Sequence, residues 1–445
     1  MYQKTTINKL NHNMMKLAFS ILAGLLFFLG CTPDTDESPK NKPQAQLLVD
    51  DGGLDLYTGF RATVVADSTY KNARHIAVND NGDIYLKIRS DKTSGILALR
   101  DTTGDGKVNI RAEFSAINGT GMDIYNGYLY ASSKTEVFRY KLNEGALLPD
   151  TTAEVVISGF PEQSQHAAKS FTFDDNGHIY VNVGAPSNAC MENLRTTGSK
   201  GQDPCPQRTW QASIWQFDAE KLGQTQQEHG HQYCTGIRNC VALDWNHHSN
   251  GLFAVMHGRD QLSMFWPDFY DDKQNAELPS EEFLQIDDGD DFGWPFCYHD
   301  PEKNLKVLAP EYGGDGNKID RCAEKKDPVL GFPAHYAPND LLFYRGDQFP
   351  ERYKNGAFVA FHGSWNRAPE PQKGYLVAFV PFRNGLPTGE WEVFADGFSG
   401  VKTIASTGDA KHRPMGLAEG PDGSLYITDS AKGKIWRITY NERSI

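Results

Sequence analysis

Positive charge and closely spaced cysteine are both scarce in this sequence. Lysine and arginine number 44 against 57 aspartates and glutamates, a net charge of −13. That deficit argues against nucleic acid and against an anionic membrane face as partners, since both need basic surface. No two of the seven cysteines form a CxxC pair, so the spacing of a structural zinc site is missing. No CxxCH segment offers a haem attachment. The apolar run over residues 17–30 is too short to be a good membrane span.

That run follows a basic start carried by Lys4, Lys9 and Lys16, and it ends in Phe28-Leu29-Gly30-Cys31. The pattern is that of a secretory signal. A small residue before a cysteine is similar to the bacterial lipoprotein cleavage site, which would leave Cys31 as a lipidated N-terminus, anchored stably by more than one acyl chain. The chain is thus expected to divide into a signal over 1–30, Cys31 with a polar tether over 31–50, and a folded region over 51–445. The implied address is the bacterial cell envelope, periplasm-facing or at the outer membrane, with the lipid as the sole membrane contact. Without the signal the charge falls to about −16. Six cysteines remain, and an even count in an exported chain reads as disulfides. Of the fifteen possible connectivities, short loop closure favours Cys190–Cys205, Cys234–Cys240 and Cys297–Cys322.

A phrase recurs along the folded region: Asn81-Gly82, Asn126-Gly127, Asn176-Gly177, Asn250-Gly251, Asn355-Gly356 and Asp422-Gly423, each followed by an apolar run. Asn-Gly and Asp-Gly tolerate the positive φ of a tight turn between antiparallel strands. The spacing begins near 45–50 residues and widens through insertions, which predicts an all-β, six-bladed β-propeller. The blade spanning 260–350 is poorly marked, and residues 265–282 read as a loop inserted at the funnel mouth. Asp101 to Gly106 has the look of the front of a calcium loop, but Ala112 stands where the closing carboxylate belongs, so it reads as a polar turn.

Loops at the strand ends of a propeller line its central funnel, so polar residues beside the phrases should converge there. They include Arg74, Gln165-His166, Gly236 to Asn239, His257 to Asp260, His362 to Arg367 and Lys411 to Pro414. The stretch from Gly356 shows the switch best. A buried-type strand, Phe358 to Phe361, gives way to His362-Gly363-Ser364-Trp365-Asn366-Arg367. Cations dominate these segments in an otherwise acidic chain, which suggests an anionic small molecule at the axis.

Four segments carry a resemblance: Gly236-Ile237-Arg238-Asn239, Phe292-Gly293-Trp294-Pro295, His362 to Arg367, and Arg413-Pro414-Met415-Gly416. In this order they resemble the sorbosone dehydrogenase and soluble glucose dehydrogenase family, whose six-bladed propellers carry pyrroloquinoline quinone (PQQ). The match extends over nearly all of residues 54–440 and is nearer the sorbosone branch. It implies oxidation of a sugar or sugar-derived aldehyde, with a quinone or cytochrome as acceptor. It implies that His166 is the general base and that Arg238 stabilises charge on the quinone oxygen. Arg74, Asn239, His362, Trp365, Asn366, Arg367, Lys411 and Arg413 would hold the cofactor. Calcium would take backbone carbonyls at Gly258 and Arg259, where the glucose branch has Gly-Pro. That branch also has an aspartate where this chain has Ala185, and Asp260 is the candidate to replace it. Two other readings use the same fold: a non-catalytic propeller that binds a glycan or protein at the cell envelope, and a calcium-dependent lactonase, which would need carboxylates on the axis.

Overall fold

The computed structural model describes residues 52–89 and 95–441, together with the backbone of Leu48–Val49. The signal, Cys31 and nearly all of the tether lie outside the described residues. The turn phrases adopt the backbone their chemistry permits. Asn126 (φ 46°) and Gly127 (φ 75°) join Met122–Tyr125 to Tyr128–Ser132, and Asn250, Gly177 and Gly423 mark the same turn elsewhere with φ of 54°, 87° and 77°. Each of the six phrases links the first two strands of one antiparallel sheet, so the phrases count the blades.

The six first strands are Ala73–Val78, Met122–Tyr125, Phe171–Phe173, Ala242–Asn246, Pro338–Phe343 and Pro414–Glu419. They neighbour one another in a closed ring around the axis. The chain seals the ring itself, because Phe60–Ala66 pairs antiparallel with Ile435–Tyr440 as the outer strand of blade 6. The fold is a six-bladed β-propeller. Its core lies between blades rather than at the centre. Ile214 and Tyr180 of blade 3 pack on Leu243 and Leu252 of blade 4, and Phe253 and Phe283 of blade 4 pack on Phe343 and Val359 of blade 5.

Two expectations need correction. Residues 260–350 do not form a blade of their own. Glu281–Ile286 and Leu330–Phe332 complete blade 4, and the excess length makes two short helices, Leu262–Phe265 and Asp272–Glu277, and a hairpin, Cys297–Asp300 with Leu305–Leu308. Two of the three disulfides form, Cys190–Cys205 and Cys297–Cys322, but Cys234 and Cys240 are free. Cys234 pairs with Ile214 within blade 3, while the Cys240 amide donates to Asn182 Oδ1 at 3.0 Å. Both thiols are buried between blades 3 and 4, and burial pushes their pKa values up. The Asp101 segment is a polar turn: its carboxylate accepts the amides of Thr103, Gly104 and Gly106.

Candidate functional site

In an antiparallel blade the start of strand 1 and the end of strand 2 lie at one end. The segments entering the first strands and those leaving the second strands therefore meet on one face of the ring, and that face collects the polar groups. His166 sits just before blade 3, with φ of 49°. Its Nδ1 lies 2.6 Å from the Ala185 carbonyl, so the proton belongs on Nδ1 and the Nε2 lone pair is left free. The carbonyl of residue 185 thus orients the ring, a task its methyl side chain could not perform. Gly184 allows the close approach, since a Cβ there would meet Asn239 Oδ1 at 2.7 Å and His166 Cβ at 2.8 Å.

Arg238 comes from the loop between blades 3 and 4. Gly236 turns that loop with φ of 74°, and a Cβ there would strike Asp291 Oδ1. Phe292 and Trp294 brace it, donating their amides to the carbonyls of Thr235 and Gly236. The Arg238 guanidinium bonds Asp260 Oδ2 at 2.6 Å and Asn188 Oδ1 at 3.1 Å. Asn239 is buried and accepts from Asn182 at 3.2 Å. Asp260 also receives Asn366 Nδ2 at 2.6 Å and stands 3.8 Å from His335 Nδ1. Burial alone would raise the Asp260 carboxyl, but Arg238 and the surrounding imidazoles outweigh it and hold it below its usual range.

Around this centre two cations have no ion-pair partner among the described residues. Arg74 faces no carboxylate there and its Nε has no hydrogen bond, and burial with Arg89 and Arg413 nearby lowers it to about 9. Arg413 donates to the carbonyls of His362 and Gly363 and lies over the Tyr375 ring, with its Cζ 5.6 Å from the ring centroid. His362 donates to or accepts from Ser430 Oγ at 2.6 Å. Five imidazoles, His75, His166, His257, His335 and His362, are all pushed down, burial first and neighbouring arginines next. His75 and His257 fall to about 4 and His166 to about 3. Glu281 is buried beneath the site, accepting the amides of Gly258 and Ala337; burial raises it to about 8.

Three expected cofactor residues sit differently. Arg367 is buried with its nitrogens engaged by the carbonyls of Pro371, Ala276 and Ala334 and by Glu277 at 2.6 Å, so it anchors the loop. Lys411 is exposed, its methylenes against Gly400. Trp365 is exposed at the rim. At the expected metal position the Arg259 side chain is committed to Glu311 at 2.5 Å. Among the described residues no cluster of three His, Cys, Asp or Glu could hold a metal, so a calcium ion would have to take carbonyl oxygens there. Sequence reasoning passed over His75, His335, Asn188 and Glu281. His335 enters blade 5 from the segment that insertions had obscured, and Asn188 belongs to a loop with no turn phrase.

An excess of buried positive charge with unfilled nitrogens suits an anionic ligand. Relatives with such ligands carry this fold. A PQQ-dependent sugar dehydrogenase of Hypocrea jecorina is 21% identical over 386 residues, covering 82% of this chain and 79% of the relative. A PQQ-dependent pyranose dehydrogenase of Coprinopsis cinerea is 26% identical over 276 residues, 54% of this chain but only 36% of that protein. Among solved structures, the Trichoderma reesei family AA12 enzyme aligns over 90% of this chain and 100% of its own, with a TM-score of 0.71 at 19% identity. The PQQ domain of the Coprinopsis cinerea pyranose dehydrogenase aligns over 89% and 98%, with a TM-score of 0.68 at 19% identity. The TrAA12-like family model matches residues 54–441, the whole propeller with its axial face, and the chain belongs to that family.

Proposed function

We propose that the protein is a quinoprotein that oxidises a sugar or sugar-derived aldehyde, using PQQ held on the axial face. The observation that carries this reading is the half-buried Arg74 and Arg413 pair, which flanks His362 and has no carboxylate ion-pair partner among the described residues, on the face that also carries His166 with its fixed free lone pair. When bound, the quinone would supply the two-electron acceptor. Arg74 and Arg413 would meet its carboxylates, with His362, Asn239 and Asn366 at its rim, and the carbonyls of Gly258 and Arg259 would hold calcium. His166 would take the substrate hydroxyl proton on Nε2. Arg238, held rigid by Asp260 and Asn188, would set fixed positive charge where negative charge develops. The two electrons would leave to a separate quinone or cytochrome. A lipid on Cys31 would tether the enzyme to the cell envelope.

The test is a thermal-shift titration of residues 32–445, stripped with EDTA, against PQQ with and without calcium. Binding to the folded state alone adds about 2.7 kcal/mol at a hundredfold excess over Kd. A calcium-dependent rise in Tm, followed by dye reduction with aldoses or aldehydes, is expected. No shift in a folded sample would sink the reading and turn attention to glycan binding.

A further inference from the structure

We propose that Trp365 is the platform for a second sugar ring, so that the substrate is a saccharide of two or more units whose end ring alone reaches His166. This rests on the dehydrogenase reading for the chemistry at the axis, and on separate surface observations for where the rest of the substrate lies.

Trp365 is 54% exposed, yet its neighbours are among the most firmly held residues of the face. Ser364 Oγ donates to the His335 carbonyl at 3.0 Å and accepts the Asn366 amide at 3.2 Å. Asn275 Nδ2 holds the Asn366 carbonyl at 2.9 Å, and Arg367 is locked by its own network. The indole is therefore held out in water by a fixed backbone rather than carried on a loose loop. Its position is tied to the centre by one residue, because Asn366 turns inward to Asp260, the carboxylate that grips Arg238.

The blade 3 side of the mouth supplies planar polar groups. Gln165, next to His166, accepts from Arg195 Nη2 at 3.1 Å, and Arg195 Nη1 bonds Gln261 at 2.7 Å. This part of the rim is braced by Thr197 Oγ1 on the Met264 carbonyl and by the Cys190–Cys205 disulfide. A pyranose presents a C–H face that stacks on an aromatic ring and an edge of hydroxyls that suits amide and guanidinium groups. The Trp365 indole offers the first and Gln165 with Arg195 the second, and both segments are tied to the same stretch beside the centre, Asn366 to Asp260 and Arg195 to Gln261. In the reaction the end ring's anomeric carbon loses two electrons and two protons, lactol becoming lactone. The hydroxyl proton would go to His166 Nε2, the bound quinone would supply the acceptor for the hydride, and the glycosidic bond is untouched.

The test titrates glucose, maltotriose and cellotriose calorimetrically into the protein, before and after loading with PQQ, with dye reduction followed in parallel. In the wild type one trisaccharide should bind at least about tenfold tighter than glucose. That advantage should shrink to about twofold in Trp365→Ala and largely survive in Trp365→Phe, which keeps an aromatic face. Matching melting curves would show that the variants are folded. The platform is overturned if no sugar binds, if the trisaccharides bind no tighter than glucose, or if the advantage persists in Trp365→Ala. Trisaccharide preference without dye reduction would overturn the dehydrogenase reading alone. Dye reduction on glucose without that preference would overturn the platform alone.

Discussion

A buried imidazole is a usable base only if its proton is kept off the reacting nitrogen, and His166 meets that condition through a backbone carbonyl rather than a carboxylate. Burial, with the Arg238 charge next, keeps the ring neutral, as it does the other four axial histidines. In the ligand-free protein, NMR titration should find the His166 imidazole uncharged down to about pH 5, well below an ordinary histidine; a midpoint near 6.5 would contradict the packing described. His166→Ala should retain PQQ-dependent stabilisation while dye-linked turnover falls by about a hundredfold or more, the usual contribution of a positioned base. Full turnover in that variant would remove His166 from the mechanism. Asp260→Asn leaves the shape but removes the one ionised carboxylate that touches Arg238. It should cost both turnover and stability, because Arg238 would be left buried without its counter-charge.

The loops that deliver these side chains are braced by one another outside the strands, and the two disulfides lie in that bracing. Alkylation in guanidinium without reductant should count two thiols in residues 32–445, from Cys234 and Cys240, while the native protein should react with neither. A count of zero would restore the third bridge expected from spacing. That error has a physical source. Sequence separation gives loop length, but Cys234 belongs to a strand register and Cys240 to the return past Arg238, and no local pattern reports that geometry. Blade number was legible because every blade reuses one turn chemistry, Asn-Gly or Asp-Gly. That Arg74, His166, Arg238 and Arg413 share one face was legible because each stands at or just before the start of a first strand, one strand ahead of its turn. Arg367 misled because its type and place suit an anion, whereas its guanidinium is used up by Ala276, Ala334, Pro371 and Glu277.

The ring as a whole has two ends of opposite character, cationic at the candidate site and acidic at the other, where a channel of about 520 Å³ runs down the axis. Most acids there join blades. Asp244 of blade 4 accepts the Phe343 amide of blade 5 at 2.8 Å, Asp340 of blade 5 accepts the Leu417 amide of blade 6 at 2.7 Å, and Glu419 of blade 6 accepts the Arg345 amide at 2.8 Å. Asp123 differs, since among the described residues its carboxylate receives only the amide of the next residue, Ile124. Burial, helped by the Asp244 charge, raises Asp123 to about 7, against an unfolded value near 4. Between those values the folded protein holds a proton that the unfolded chain has released. Stability from this group is therefore complete below about pH 4 and is lost as pH rises through 7. Asn in its place cannot ionise and breaks no link between blades. At pH 4 Asp123→Asn should melt close to the wild type. At pH 8 it should be more stable by about 1 kcal/mol, less than the full shift implies because the channel admits solvent, and should melt about 2 °C higher. A difference in Tm that stays flat from pH 4 to 8 would mean that Asp123 titrates normally and that the channel does not burden its charge.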